Sequence, residues 1–249
     1  MKVLIDADML LFRAAAGCMV EADLGDDCWI WHSDLPQTRA SFWEMVGDLC
    51  EQVEASTNAA ILCWTHNSGF RRALFPDYKS GRGTKPPGFG AARAELLAHQ
   101  SSVCHAQIEA DDLMGLFSDM LPPGGYAVAS GDKDLDQVPG AHIWLGTEPR
   151  VVTPHEAQLL FWMQAITGDA TDKIPGCPGA GPAKAAKALQ GLDPFDAKEC
   201  WAAVVGCYEK AKVPNPQEAA LLTARLVRIL RAGEYDFDLQ QVELWTPPA

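Results

Sequence analysis

An α/β fold is predicted for this chain, with a mainly parallel central sheet flanked by helices and a smaller helical region after it. Three observations carry that expectation. Short apolar runs at residues 3–5, 59–64, 126–129 and 142–145 alternate with stretches of helical periodicity, as in consecutive strand–helix units. Nine carboxylates fall into four short clusters: Asp6 and Asp8 in VLIDAD, Glu109, Asp111 and Asp112 in IEADD, Asp132 and Asp134 in SGDKD, and Asp169 and Asp172 in ITGDATD. Three clusters follow strand-like or mixed apolar runs, so a parallel sheet gathers their acids at its carboxyl edge; the fourth ends a helix-like run. Finally, 249 residues that are 48% hydrophobic suffice for one α/β domain with a satellite. The division expected is a core over residues 1–150 and a helical region over 151–249.

Residues 3–5 read as a buried strand and residues 9–16 as a short helix ended by Gly17. Cys28, Ile30 and His32 alternate with Trp29 and Trp31 at the period of a strand. Phe42, Met45, Val46, Leu49 and Val53 recur at helical spacing, which predicts an amphipathic helix over about 38–56. The run 59–64 supplies a second core strand. Residues 71–90, RRALFPDYKSGRGTKPPGFG, hold four glycines and three prolines among five bases, and an irregular, mobile loop or arch is expected there. Helix returns over 91–100, and a strand near Val103 leads to Glu109. Asp111 and Asp112 then open a helix carrying Leu113, Leu116 and Phe117, where acids suit the positive end of the helix dipole. Residues 122–125 break it, and strands follow at 126–129 and 142–145. Thr153, Pro154 and Glu156 form a capping box that launches a helix over 156–167. The run IPGCPGAGPAKAAKAL turns tightly into another helix at Pro182, and 217–232 is a last amphipathic helix stopped by Gly233. The eight tryptophans, including Trp29, Trp31, Trp43 and Trp162, are expected in the core. Tyr78 and Phe89 inside the basic loop serve either to stack on bases or to anchor the loop.

The net charge of −13 is unevenly spread. Residues 1–58 carry three bases and eleven acids, a net of −8. Residues 71–85 carry Arg71, Arg72, Lys79, Arg82 and Lys85 against Asp77 alone, and residues 173–187 carry Lys173, Lys184 and Lys187 with no acid. Two basic islands thus flank acidic clusters, an arrangement suited to binding phosphate. No apolar stretch approaches the ~20 residues of a membrane span. Met1 and Lys2 lead at once into a strand and an acid pair, without the apolar core of a signal peptide, so a cytoplasmic location is expected. The eight cysteines show no ligand-like spacing and read as reduced, mostly buried thiols.

Carboxylates brought this close repel and raise one another's pKa unless cations neutralise them, and hard divalent metals are the natural solution. A lone D-x-D is as readily a cap as a ligand, but four ordered acid clusters are hard to explain structurally. The turn Gly179-Ala-Gly181-Pro182-Ala-Lys184 is similar to a helix-hairpin-helix turn, whose glycines let backbone N–H groups approach a phosphate; a plain tight turn between packed helices needs the glycines but not Lys184 and Lys187.

Together VLIDAD, FPDYKSGR, IEADD, SGDKDLDQVPG and ITGDATDKIPGCPGAGPAKAAKAL resemble the 5′-to-3′ exonuclease and flap endonuclease family, in its phage-type exonuclease branch, over roughly residues 1–190. The resemblance implies a PIN-like nuclease core and a helix-three-turn-helix region at about 167–190 that grips duplex DNA. It also implies two Mg²⁺ or Mn²⁺ ions and a K⁺ ion in the helix-three-turn-helix motif. By position it assigns Asp6, Glu109, Asp111, Asp112, Asp132, Asp134, Asp169 and Asp172 to the metal site, and Asp8 to a non-ligand place. Lys79 and Arg82 match the arch residues that contact the scissile phosphate. Arg71, Arg72, Lys85, Gly179, Gly181, Lys184 and Lys187 join them as DNA-binding candidates. His66 stands where the family usually has an acid after its second strand, and an imidazole there is a candidate metal ligand. The expected partners are DNA with 5′ ends, flaps or junctions, and RNA–DNA hybrids. The rival enzymatic reading is a phosphatase of the haloacid dehalogenase type, for which Leu10 stands where a Thr or Val is wanted. A structure-specific DNA-binding protein with a weakened active site is the other.

Overall fold

The computed structural model describes residues 1–248, so Ala249, the last residue of the expected helical region, lies outside it. In chain order the elements are β1 (Lys2–Asp6), α1 (Ala7–Gly17), β2 (Met19–Asp23), β3 (Trp29–Ser33), α2 (Leu35–Glu51), β4 (Ala60–Cys63), α3 (Phe70–Leu74), α4 (Phe89–Leu97), β5 (Ser102–Val103) and α5 (Ala110–Met120). There follow β6 (Tyr126–Ala129), β7 (Gly140–Ile143), β8 (Arg150–Val152), α6 (Pro154–Thr167), β9 (Gly168–Asp169), β10 (Ile174–Pro175), α7 (Pro182–Ala188), α8 (Ala197–Lys210) and α9 (Pro216–Val227), then the small pair β11 (Tyr235–Asp236) and β12 (Gln241–Val242). Six strands form one sheet in the order β5-β4-β1-β6-β7-β8, parallel except for β8 at the edge. The expected fold class is therefore observed.

Strand β1 lies at the centre because both of its faces are apolar. Val3 and Ile5 join the core formed with α1, α2 and α4, while Leu4 faces the opposite core with α5, Ile229, Leu230 and Tyr235. Burial on both faces is what a parallel sheet with helical crossovers demands. A third core, around Trp162 and Tyr208, holds α6 to α9 together and takes in Tyr78 from the basic segment. Asp6 ends β1 and caps α1 by accepting the Met9 N–H at 3.0 Å, and Thr153 and Glu156 make both bonds of the predicted capping box at α6. Among the described residues no helix is long and apolar enough to cross a membrane, and the eight cysteines are free.

Several expectations change. Trp29 and Trp31 are half exposed, at 53% and 52%, because β3 pairs only with β2 in a separate hairpin and never enters the sheet. A period of two marks a strand without saying whether either face is covered. Helix α2 begins at Leu35, where Asp34 accepts the Gln37 N–H, and not at Thr38. The basic segment is not one irregular arch: Phe70–Leu74 is helical, and Tyr78 and Phe89 are buried as anchors. Helix α9 stops at Val227 rather than Ala232, because the carbonyls of Leu226, Val227 and Arg228 are taken by Arg71 and Gln137. Helix α8 and the edge strand β8 have no counterpart in the sequence expectations.

Arg71 explains much of this. The residue is 4% exposed, and its guanidinium makes a two-pronged bond to Asp112 at 2.7 Å on each side, with further bonds to the carbonyls of Leu226 and Arg228 and to Glu109 at 3.2 Å. Expected on DNA, it instead ties α3 to α5 and α9. Removing one partner of such a buried pair leaves an uncompensated charge. Arg71→Met is expected to lower unfolding stability by about 3–5 kcal/mol. The exposed neighbour Arg72→Met is expected to change it by less than about 0.5 kcal/mol. Urea titrations followed by circular dichroism compare the two, and equal effects would contradict the role of Arg71.

Candidate active site

The acids meet where chain topology brings the ends of β1 and β6, the start of α5 and the β9 turn together. Asp6, Asp111, Asp132 and Glu109 line one cleft of about 340 Å³ together with Lys79 and Arg82. Beside it, Asp134, Asp169 and Asp172 each offer an oxygen within 4.8 Å of the others, a spacing that suits a hard cation. Local bonds hold these groups in place. Asp132 accepts the Asp134 N–H at 2.9 Å, Gln164 on α6 donates to Asp134 at 2.7 Å, and Asp169 accepts the Thr171 N–H at 2.7 Å.

The electrostatics show a site short of positive charge. Burial, then repulsion from Asp8 and Asp132, pushes the Asp6 carboxyl up to about 7, against relief from the Met9 N–H. Burial likewise raises Asp134 to about 7, helped by Asp132 and Asp169, and holds Asp111 well above the ordinary range with Asp6 as its main repelling neighbour. Glu109 goes the other way. Burial opposes its ionisation, yet Arg71 and Lys79 with the Tyr78 hydroxyl bring it down to about 2. The Lys79 ammonium lies 2.9 Å from Glu109 and 3.5 Å from Asp172, so it spans the two acid groups, and Arg82 bonds Asp172. Oxygen donors that resist simultaneous ionisation fit divalent cations by their chemistry.

Not every expected residue joins this cleft. Asp112 is fully buried and turned onto Arg71, also accepting the Glu109 N–H at 3.0 Å, which corrects its place among the metal-facing acids and that of Arg71 among the DNA contacts. His66 forms no metal-competent group with the acids among the described residues; its Nδ1 accepts the Ser68 N–H at 3.2 Å. Asp8 is spent on the Thr65 N–H at 2.7 Å and Arg93 Nε at 3.0 Å. At the hairpin, Gly179 has φ +69°, and Lys184 and Lys187 line a groove of about 490 Å³ together with Lys210 of α8. Gly176 packs so closely on Thr167 that an added Cβ would lie 2.1 Å from its carbonyl oxygen. Arg93, Gln164 and Lys210 were missed in the sequence, because they lie within helices without a local motif that singles them out.

Comparison with known proteins adds to this geometry. Residues 1–159 match the family model described as 5′-3′ exonuclease, N-terminal resolvase-like domain. Flap endonuclease Xni of Shewanella pealeana is 28% identical over 208 residues, covering 77% of this chain and 81% of its own. The exodeoxyribonuclease of Enterobacteria phage T3 is 24% identical over 98% of this chain and 92% of its own. Among solved structures, the T5 5′-exonuclease with bound zinc superposes with a TM-score of 0.63 at 16% identity, over 91% of this chain and 88% of that one. A T5 flap endonuclease complexed with DNA and metal ions superposes with a TM-score of 0.55 at 15% identity, over 90% and 92%. At these identities the superpositions show the shared fold.

The raised carboxyls have a consequence for stability. Unfolded, Asp6 and Asp134 titrate near 3.8; folded, near 7. Below 3.8 they favour folding fully, and that contribution is lost as pH rises through 7, because the unfolded chain releases protons the folded one retains. Glu109 has the opposite sign, stabilising above its unfolded 4.5 and losing that contribution as pH falls towards 2. The buried His142, with its pKa lowered mainly by burial, also destabilises on acidification, so a bare pH–melting curve mixes signs. The specific expectation is that Asp134→Asn raises the metal-free melting temperature more at about pH 7.5 than at about pH 5, and that Mg²⁺ or Mn²⁺ stabilises wild type more at the higher pH. Scanning fluorimetry with chelator or metal measures both, and shifts independent of pH would count against the metal site.

Proposed function

The chain belongs to the 5′-3′ exonuclease family, and on that footing we propose that it hydrolyses phosphodiester bonds in DNA bearing 5′ ends, flaps or junctions, with divalent metal ions and 5′-phosphate products. The observation that carries this reading is the Lys79 ammonium lodged between Glu109 and Asp172, a cation at the meeting point of two acid groups. In this reading Asp6, Glu109, Asp111 and Asp132 hold one ion, and Asp134, Asp169 and Asp172 hold a second. Bound there, two Mg²⁺ or Mn²⁺ ions supply a water of lowered pKa and charge to stabilise the leaving oxygen.

The chain's own residues do the rest. With the acids neutralised, Lys79 and Arg82 turn their charge to the scissile phosphate and orient it. Tyr78 keeps that strap in place by donating its hydroxyl to Glu109 at 2.7 Å while its ring packs among α6 to α9. Lys184, Lys187 and the hairpin backbone hold the duplex through its phosphates, joined by Arg72 and Lys85 on the basic segment. Such contacts carry little sequence information, so strand ends, flaps and junctions set the specificity. The RNA strand of an RNA–DNA hybrid offers the same phosphate geometry and is part of the proposal. His66 is not among the ligands in this reading, so an imidazole at that position does not by itself weaken the site.

Incubation of end-labelled duplex, flap and hybrid substrates with Mg²⁺, Mn²⁺ or chelator tests the reading directly. Asp134→Ala is expected to abolish cleavage while duplex binding persists. Lys79→Ala is expected to slow single-turnover cleavage by about 100-fold. Lys184→Ala should instead weaken duplex binding and reduce its salt slope by about one phosphate contact. Metal-independent cleavage, or full activity in Asp134→Ala, would overturn the proposal.

A further inference from the structure

A second groove, of about 630 Å³, opens beside the acidic cleft and shares Asp8, Thr65, Lys85 and Phe89 with it. Its remaining polar lining is His66, Asn67 and Arg93. The groove's one acid is already spent: both Asp8 oxygens are bonded, one by the Thr65 N–H and one by Arg93 Nε. Arg93 is itself pinned, with a further bond to the Thr65 carbonyl and its guanidinium 5.4 Å above the Trp64 ring. Lys85 lies 4.1 Å over the Phe89 ring and, alone among Lys79, Arg82, Lys85 and Arg93, has no carboxylate partner among the described residues. His66 Nδ1 lies 3.2 Å from the Ser68 backbone nitrogen and 3.0 Å from its hydroxyl, which tethers the ring on the β4–α3 connection. A fixed guanidinium, an unpaired ammonium, an imidazole and an amide thus face one open groove that adjoins the acids.

We propose that this groove binds a phosphate of the cleaved strand lying 5′ of the bond held at the acids, so that the 5′ end is measured from Lys85, His66, Asn67 and Arg93. The inference rests on the nuclease reading of the neighbouring cleft. It goes beyond that reading by assigning a second anion subsite and a preference for phosphorylated ends. Donors on two elements, the β4–α3 connection and α4 with the loop before it, converge there, which is the arrangement that captures a tetrahedral anion. His66 in this role is a positioning residue for substrate.

The test compares initial rates in Mg²⁺ on duplexes ending in a 5′-phosphate or a 5′-hydroxyl, and on a 5′ flap, for wild type, Lys85→Ala and His66→Glu. Wild type is expected to prefer the phosphorylated end, and His66→Glu, which sets an acid against the phosphate, to lose about tenfold there while sparing the hydroxyl end. Loss on the phosphorylated end alone identifies the terminal monoester as the ligand. Loss on the flap as well identifies an internal diester, and both support the subsite. Equal loss on every end, or a raised Mg²⁺ requirement with no dependence on the end, would overturn it. Fluorescence anisotropy of 5′-phosphate and 5′-hydroxyl duplexes in chelator gives an independent reading: His66→Glu is expected to weaken the phosphorylated duplex alone, and Lys85→Ala to weaken both, the phosphorylated one more. Failure of wild type to cut any substrate would refute the nuclease reading, while the anisotropy comparison still decides the groove.

Discussion

Arg71 and Asp112, bonded to each other in the interior, tie α3 and α5 to the end of α9. An arginine that is almost wholly withdrawn from water needs its donors satisfied, and here a carboxylate and two backbone carbonyls do so. Because those partners sit on α5 and at the end of α9, one side chain sets the distance between the sheet and the last helix. It also reaches Glu109, so the same guanidinium that organises the core helps keep a cleft carboxylate ionised. Fold and site are thus joined at a single group.

From Glu109 the influence spreads outward. Its two oxygens receive Tyr78, Lys79 and Arg71, which fixes the basic strap against the acids. Beyond it stand Asp6, Asp111 and Asp134, whose carboxyls are pushed up by burial and by repulsion from neighbouring carboxylates. Lys79 supplies part of the compensating charge from within the chain. The cleft is therefore poised between an internal cation and external ones, with the stability of the empty site set against the affinity for what fills it.

Much of this was legible in the sequence. The apolar runs of β1, β4 and β6 are buried on both faces, and the capping box at Thr153 names its own helix, so local chemistry and tertiary structure agree there. The acid clusters were legible because unpaired carboxylates at strand ends have few structural uses. What stayed hidden was set by partners far along the chain. Nothing local distinguishes Arg71, 41 residues from Asp112 and 155 from Leu226, from the exposed Arg72 beside it. The early end of α9 follows from that same distant claim on its carbonyls. Trp29 and Trp31 misled because alternation reports a strand and not what covers it. Arg93 and Asp8 were opaque for a related reason, since their pairing joins residues 85 apart across the sheet edge.

The reach of Arg71 to the end of α9 has a meaning for how the molecule is made. A chain leaving the ribosome exposes β1, β4, β6 and most of the acids long before residues 226–228 emerge. Until those carbonyls arrive, Arg71 and Asp112 lack the partners that let them be buried, and the elements that carry Glu109 and Lys79 have no fixed separation. The lattice of bonds that shapes the cleft closes only once residues 226–228 have emerged. The cleft is thereby assembled after the elements that carry its acids, by a contact that spans 155 residues of chain.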